Sequence, residues 1–423
     1  MNPKVYFRSL SLENVRCFGK KQEIFFTDNG KADGKVAMWN VILGENGTGK
    51  TTVLRSLGYS NLFFLQKYYR LPFDQQYFPR IKEKLYLRAI GVTFDVNNEI
   101  YSTFPFEAIA IGYTMDARKN EDSPQYKNIE YYYQEFDRNI NLLNLSAYGA
   151  SRKISTGGMT EKQNLTFHSL FDEDTSLSNV EEWLVQTDYL ALKNQDNKKY
   201  QTVTNAIRKL LREEISDFYI KTDSNAPQVF FKTHYGDVRL HDLSLGYKTL
   251  LAWITDFAKN MVEKYPESTD PLAEPAVCLV DEIDLHMHPK MQRSVVKFLR
   301  ETFPQTQFIV TAHSPLIVQS EEDTNIILLR RNGDEVEVLN EVDNIQNWRI
   351  DQILESDLFG NQSGYSNTIN QKIEERRKIL LKDKVTKEDE RRLEEIDNSL
   401  EKISITESPE YQKTLKILAE LQK

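Results

Sequence analysis

Only two cysteines occur in 423 residues, Cys17 and Cys278, and both sit among apolar neighbours. That number excludes a disulfide framework and a zinc ribbon, and reads as two small core residues. No apolar run approaches the roughly 18 residues needed to cross a bilayer, so no membrane span is expected. The first residues, MNPKVYFRSLSLENVRCFG, lack a basic segment followed by an apolar stretch. No secretory signal is therefore expected, and a cytoplasmic location is the default. Positive charge is also in deficit: 54 Lys and Arg against 63 Asp and Glu give a net charge of −9. This argues against a chain that coats nucleic acid through bulk charge, although a local basic face would suffice for binding. Internal repeats and low-complexity tracts are missing as well. What is present is a composition of 40% hydrophobic and 28% charged residues, enough for real cores. At roughly 150 residues per domain the length suggests two to three domains.

Hydrophobic periodicity predicts strands over 4–15 and 21–27, and a buried strand at Val36–Leu43 that runs straight into a Gly-rich loop and a helix over 51–59. Further strands are expected within LYLRAIGVTFDV and IEYYYQEF. The stretch 166–215 reads as helical, notably 177–193 and 200–216. Tyr235-Gly236-Asp237 marks a hairpin between 229–233 and 238–240. A helix from about 244 to 263, a buried strand at 276–280, a helix at 289–302, a buried strand at 307–311 and a hairpin around Asn332-Gly333 complete the pattern. From about residue 366 the composition becomes charge-dense, with Ile373, Leu380, Leu393, Ile396 and Leu400 at roughly helical spacing. Thr386 and Asp389 resemble a capping pair between two helices, and Ser408-Pro409 opens a last one.

Four segments carry chemistry. Gly44-Glu45-Asn46-Gly47-Thr48-Gly49-Lys50-Thr51 matches the phosphate-loop pattern in full, between a buried strand and a helix. Its glycines let backbone N–H groups wrap a phosphate, and the helix N-terminus adds the positive end of its dipole. Lys50 is placed to reach the β and γ phosphates and Thr51 to ligand Mg²⁺, so ATP and Mg²⁺ are the expected ligands. Asn46, Gly47, Thr48, Gly49, Lys50, Thr51 and Thr52 are the candidate nucleotide contacts. The apolar run Ala276–Val280 ends in Asp281 and Glu282: Asp281 suits holding Mg²⁺, and Glu282 suits polarising the attacking water. Gln307–Thr311 delivers His313 to the same sheet edge, where an imidazole would meet the γ-phosphate and the water. Finally, Leu243-Ser244-Leu245-Gly246-Tyr247-Lys248 opens a helix. Ser244 there is either a plain helix cap or, with Gly246 and the backbone N–H groups, a second contact for the γ-phosphate.

In this order the four segments resemble the ATP-binding-cassette ATPases of the SMC and RecF type, over about residues 1–58 and 225–340. The resemblance implies an α/β fold: a P-loop ABC-ATPase head with a mixed β lobe, a helical lobe and a C-terminal helical extension. It also implies an ATPase that dimerises head to tail around two ATPs. Lys50, Thr51, Asp281, Glu282 and His313 of one subunit would face Ser244 and Gly246 of the other, with Asp284 in a loop that crosses to the partner. The signature segment reads LSLGY rather than the transporter form LSGGQ, and no glutamine takes the usual Mg²⁺-contacting place. Ala147-Tyr148-Gly149-Ala150-Ser151-Arg152 falls in that region. The stretch between Thr51 and Ser244 is too short for SMC coiled-coil arms, and heptads are absent. DEIDLHMHP, AYGASR and the run from Asp351 to Gly360 are similar to stand-alone bacterial ATPases of Septu systems, retrons and overcoming-lysogenization-defect proteins. These often work with a nuclease or toxin in phage defence, so the resemblance implies a homodimer, a higher oligomer as a further option, and a separate effector partner. DNA repair or direct action on DNA by an ATP-regulated nuclease is the alternative.

The expected organisation is an N-terminal ATPase lobe over 1–150, a helical insertion over 151–228, a C-terminal ATPase lobe over 229–365 and a helical tail over 366–423. His286 and His288 read as structural or dimer-contact residues rather than a metal pair. Lys193, Lys198, Lys199, Arg208, Lys209 and Arg212 form either a solvated helix face or a phosphate-binding stripe, with DNA as the candidate ligand. The Tyr and Phe residues of 59–106 are expected in the core of the first lobe. The tail carries apolar positions that a solitary helix cannot bury, which suggests a helical hairpin that meets a second subunit or the effector.

Overall fold

The computed structural model describes residues 4–13, 15–58, 89–96, 99–104, 143–154, 168–194, 197–211, 215–222, 227–342, 345, 348–359, 366–382 and 385–400. The expected strand IEYYYQEF, most of the Tyr- and Phe-rich stretch after residue 59, Arg212 and the helix opening at Ser408 lie outside these residues. The chain divides into two compact units, Met1–Ile350 and Asp351–Lys423.

The first unit is built on a six-stranded sheet. Its spatial order is Glu335–Leu339, Asn325–Asn332, Trp39–Gly44, Thr306–Thr311, Ala276–Val280 and Leu145–Tyr148. The hairpin Asn325–Leu339 is antiparallel and every other pairing is parallel. The sequence dictates this. Val41-Ile42-Leu43, Val277-Cys278-Leu279-Val280 and Ile309-Val310 are short continuous apolar runs rich in β-branched residues, and each side chain is at most 1% exposed. Only a parallel sheet covered on both faces accepts such strands. Each such side chain contributes about 1.5–3 kcal/mol by leaving water.

One face is covered by the helix of residues 50–58 and by an antiparallel sheet ordered Gln22–Phe25, Val5–Glu13, Ala89–Val96, Glu99–Phe104. Phe7, Leu10, Ile42, Val53, Leu57, Leu279 and Ile309 share this core. The other face is covered by the helix Leu245–Lys264. Its Trp253 ring lies 5.6 Å from Tyr148, and its Phe257 ring 4.8 Å from Phe303. Buried amides tie the layers together. The Gln307 side chain accepts from the Phe7 N–H at 2.8 Å and donates to the Phe7 carbonyl at 2.7 Å. Asn325 donates to the Asn40 amide oxygen at 2.8 Å and to the Phe25 carbonyl at 2.9 Å. Unpaired, each such group would cost about 1–3 kcal/mol.

The helical stretch departs from its expected bounds at both ends. Its first helix begins at Val180 rather than at 177, because Asn179 caps it, accepting from the Glu181 and Glu182 N–H groups at 3.1 and 3.3 Å. Its second helix, Lys198–Leu211, ends before 216. Ile215–Lys221 is instead a strand paired with Gln228–Thr233, which in turn pairs with Gly236–Arg239. Phe218 opposes Phe231 with their rings 5.8 Å apart. These aromatic cross-strand contacts are non-local, and they outweigh the helical periodicity that local spacing suggests.

In the second unit the helices Asn367–Leu380 and Lys387–Leu400 form a hairpin around Ile379, Ile396 and Leu400. The expected capping pair is present and reciprocal: the Asp389 N–H donates to Thr386 Oγ1 at 3.2 Å, and the Thr386 N–H donates to Asp389 Oδ2 at 3.0 Å. No helix among the described residues is long and apolar enough to cross a membrane.

Candidate nucleotide-binding site

The strand Trp39–Gly44 ends at the sheet's carboxyl edge and turns directly into the Gly-rich loop. Gly47 (φ +80°) and Gly49 (φ +91°) adopt left-handed backbone conformations. At Gly49 an added Cβ would lie 2.5 Å from Cys17 Sγ and 2.9 Å from Phe18, so both conformation and space demand glycine. Asn46 and Gly47 are exposed at the tip, whereas Thr48 and Thr52 are buried. Thr48 Oγ1 donates to the Glu45 carbonyl at 2.8 Å and braces the loop from within. Lys50 is buried, and its Nζ donates to the carbonyls of Gly44 at 2.7 Å and Glu45 at 3.1 Å. Burial pushes the Lys50 pKa below the usual lysine value, while the Asp281, Glu282 and Asp284 carboxylates push it back up.

Thr51, on the first turn of the following helix, donates from Oγ1 to Asp281 Oδ2 at 2.7 Å. This bond joins residues 230 positions apart in the chain. Asp281 is 4% exposed and receives a second hydrogen bond on Oδ1, from Thr311 Oγ1 at 2.6 Å. The same Thr311 hydroxyl accepts from the Glu282 N–H at 2.7 Å. Glu282 has φ +48°, a left-handed conformation that costs a non-glycine residue about 1–3 kcal/mol. Its carbonyl accepts from Arg152 Nη2 at 2.5 Å, so both peptide groups of Glu282 are held by side chains from neighbouring strand ends. Asp284 Oδ2 accepts from the His313 N–H at 3.0 Å, which ties the loop after Glu282 to the end of the next strand. The His313 side chain is exposed at this edge.

The fourth segment is placed differently. Ser244 occupies the N-cap position of Leu245–Lys264, yet its side chain makes no capping bond. Its residue is exposed, and Leu245 beside it is 54% exposed. Gly246 is buried tightly against the loop after the acidic pair: an added Cβ would lie 2.4 Å from the His286 carbonyl oxygen. His286 is left-handed (φ +63°), and His288 caps the helix Pro289–Thr302, its Nδ1 accepting from the Lys290 N–H at 3.3 Å. The two histidines thus shape the loop. Among the described residues no group of three His, Cys, Asp or Glu side chains could hold a metal.

Magnesium fits this edge by its donor chemistry. The Thr51 hydroxyl and the Asp281 carboxylate already share a hydrogen bond, and a hard cation bound beside a triphosphate needs only one or two such oxygens from the protein.

Three cations of the basic stretch have partners within the chain. Lys198 Nζ donates to the Ser268 carbonyl at 2.5 Å, Arg208 pairs with Asp217 at 2.8 Å and Lys209 with Glu301 at 3.0 Å. Two residues at the nucleotide edge escaped the sequence reading. Thr311 is the last residue of an apolar strand and looks like ordinary strand filler. Arg152 was read only as part of the AYGASR stretch, without a role of its own.

Residues 160–319 match the family described as "AAA domain, putative AbiEii toxin, Type IV TA system". The chain is 26% identical to the Septu protein PtuA of Bacillus mycoides (strain KBAB4) over 84% of its own length and 46% of that protein's. It is 23% identical to the Retron Vc95 probable ATPase of Vibrio cholerae serotype O1 biovar El Tor, over 81% of this chain and 75% of that one. The chain therefore spans about half of the first relative and three-quarters of the second. Among solved structures, the SMC head domain from Thermotoga maritima aligns with 80% of this chain and 99% of its own, at 14% identity and a TM-score of 0.38. The likeness to ABC-type ATPases of the SMC and RecF class, and to the Septu and retron proteins, stands on these relatives and on the motifs.

Proposed function

We propose that this chain binds ATP with Mg²⁺ and hydrolyses it as a homodimer, and that the cycle of closing and opening controls a separate effector, a nuclease or toxin, in bacterial anti-phage defence within the cytoplasm. The observation that carries the ATPase reading is the 2.7 Å bond between Thr51 and Asp281, which brings the phosphate loop and the acidic strand to one point. The defence context comes from the relatives.

In this mechanism the loop N–H groups and Lys50 bind the β and γ phosphates. Lys50 exchanges its two loop carbonyls for phosphate oxygens, which its ammonium prefers because they carry charge. Thr51 and Asp281 would hold Mg²⁺, which supplies charge neutralisation on the phosphates. Glu282 accepts a proton from the attacking water, and His313 orients the γ-phosphate from the adjacent strand end. The exposed Ser244 hydroxyl and the helix N-terminus behind it serve the γ-phosphate of a second subunit. The site is then complete only between two copies, and ATP acts as the adhesive. Thr52, Asn46 and the other loop residues complete the cradle.

Glu282→Gln keeps every binding group and removes the proton acceptor. Turnover should fall by about 100-fold or more, and light scattering with ATP should show an accumulated dimer. A variant that stays monomeric with ATP at every concentration tested would overturn the sandwich, and a parent chain without ATP turnover would overturn the enzyme.

A further inference from the structure

Arg152 is 2% exposed, and its surroundings do not satisfy it. Nη2 donates to the Glu282 carbonyl, while Nε and Nη1 have no hydrogen-bond partner among the described residues. Two further buried polar atoms of the same sheet edge, Ser151 Oγ and Asp284 Oδ1, are also without one. An arginine kept for structure alone is normally forked onto a carboxylate, which satisfies several donors at once. Here the single bond goes to one backbone oxygen. Leaving buried donors unpaired costs about 1–3 kcal/mol each. Such incomplete networks, together with a left-handed non-glycine backbone, concentrate at functional sites. Burial lowers the Arg152 pKa to about 10, with Asp281, Asp284 and Glu282 opposing the fall, so the group keeps its charge at neutral pH.

The bond it makes is a specific one. Glu282 is held at φ +48° with its N–H on Thr311 and its carbonyl on Arg152. Release of the carbonyl would let that strained peptide relax and swing the carboxylate away. Arg152 itself is left-handed (φ +34°), which brings a side chain from the strand end at Tyr148 under the acidic loop.

We propose that Arg152 is a positioning residue for hydrolysis: it fixes the Glu282 backbone in the conformation that aims its carboxylate at the attacking water. The inference rests on the reading of Glu282 as the proton acceptor. Arg152 acts through Glu282 and so affects the chemical step rather than ATP binding.

The test is a double-mutant cycle on the full chain, with turnover and fluorescent-nucleotide binding both measured. Arg152→Lys keeps the charge but loses the planar guanidinium and with it the Nη2 donor to the Glu282 carbonyl. Its kcat should fall about 30-fold while KM and nucleotide affinity stay within about threefold. Added to Glu282→Gln, it should slow turnover by no more than about another threefold, because a residue that works through Glu282 has nothing left to position. Multiplying losses, a rise in KM at constant kcat, or an unchanged kcat would each overturn the proposal. Arg152→Met, of similar length and without charge, replaces the lysine variant if that chain does not fold, and is read the same way. If neither folds, Arg152 is a structural residue and the proposal fails. A parent chain without turnover defeats the ATPase reading. Normal parent and Glu282→Gln behaviour with indifferent Arg152 variants defeats this inference alone.

Discussion

At the carboxyl edge of the central sheet, several buried polar atoms have no partner among the described residues, whereas the helical hairpin Asn367–Leu400 carries a series of paired charges. Around the edge, Glu282, His286 and Arg152 are left-handed, and Arg152, Ser151 and Asp284 keep buried atoms without partners among the described residues. In the hairpin, Arg376 meets Asp397 at 2.6 Å, Arg392 meets Glu375 at 2.8 Å and Glu395 at 3.0 Å, and Lys382 meets Asp389 at 2.6 Å. These pairs are exposed to solvent, so each contributes little. Strain and unmet hydrogen bonds persist where a surrounding core over-determines them. The edge sits on side chains such as Leu279, Ile309 and Val280 that are fully buried, whereas the hairpin rests on three buried residues. A region with little core cannot hold conformational strain, and the charges there pair across its surface. A region with a deep core can keep groups waiting for a ligand.

Breaking the edge should therefore cost more than breaking the hairpin. The largest loss is expected for Thr311→Val, which preserves shape but removes the donor to Asp281 and leaves the Glu282 N–H unpaired. Denaturant unfolding should show about 3 kcal/mol less stability, with a reduced turnover. A loss below about 0.5 kcal/mol would mean that the edge relaxes freely and is not held by its network. Gly246→Ala comes next. Its methyl group must displace the His286 carbonyl, at a cost of about 2 kcal/mol. If the midpoint of unfolding is unchanged, the close approach of the signature helix to the acidic loop is wrong.

The smallest effect belongs to the hairpin. Lys382 and the cap at Thr386 hold the Asp389 carboxyl down at about pKa 2, against an ordinary value of 3.8. Because the folded value is the lower one, this carboxylate's contribution is complete above pH 3.8 and is lost as the pH falls through about 2. Hydrogen exchange of the amides in Lys387–Leu400 should be faster in Asp389→Asn than in the parent at pH 5, and the difference should vanish near pH 2. A difference that survives at pH 2 would assign the cap to something other than this charge.

Sequence patterns carried the parts of this molecule that depend on neighbours along the chain. The phosphate loop, the apolar strand ending in Asp281-Glu282, the hairpin at Asn332-Gly333 and the Thr386–Asp389 cap each fit within about ten residues, where spacing and residue type dictate the backbone. The strand Ile215–Lys221 was misread as the end of a helix because its partner, Gln228–Thr233, supplies the aromatic contacts that local periodicity does not contain. The polar ties Gln307 to Phe7 and Asn325 to Asn40 were equally invisible, since a buried amide is recognisable only once its partner has been brought to it.

The chain by itself therefore determined the Gly-rich loop after the first parallel strand and which strand carries the carboxylates, because a tight loop and a buried strand are local solutions to steric and hydrophobic demands. Only the tertiary structure decided that Thr51 reaches Asp281, that Thr311 and Arg152 clasp Glu282 from two sides, and that the Ser244 hydroxyl makes no bond to its own helix. Those contacts depend on the order of parallel strands in the sheet, which the long connections between them leave open until the core closes.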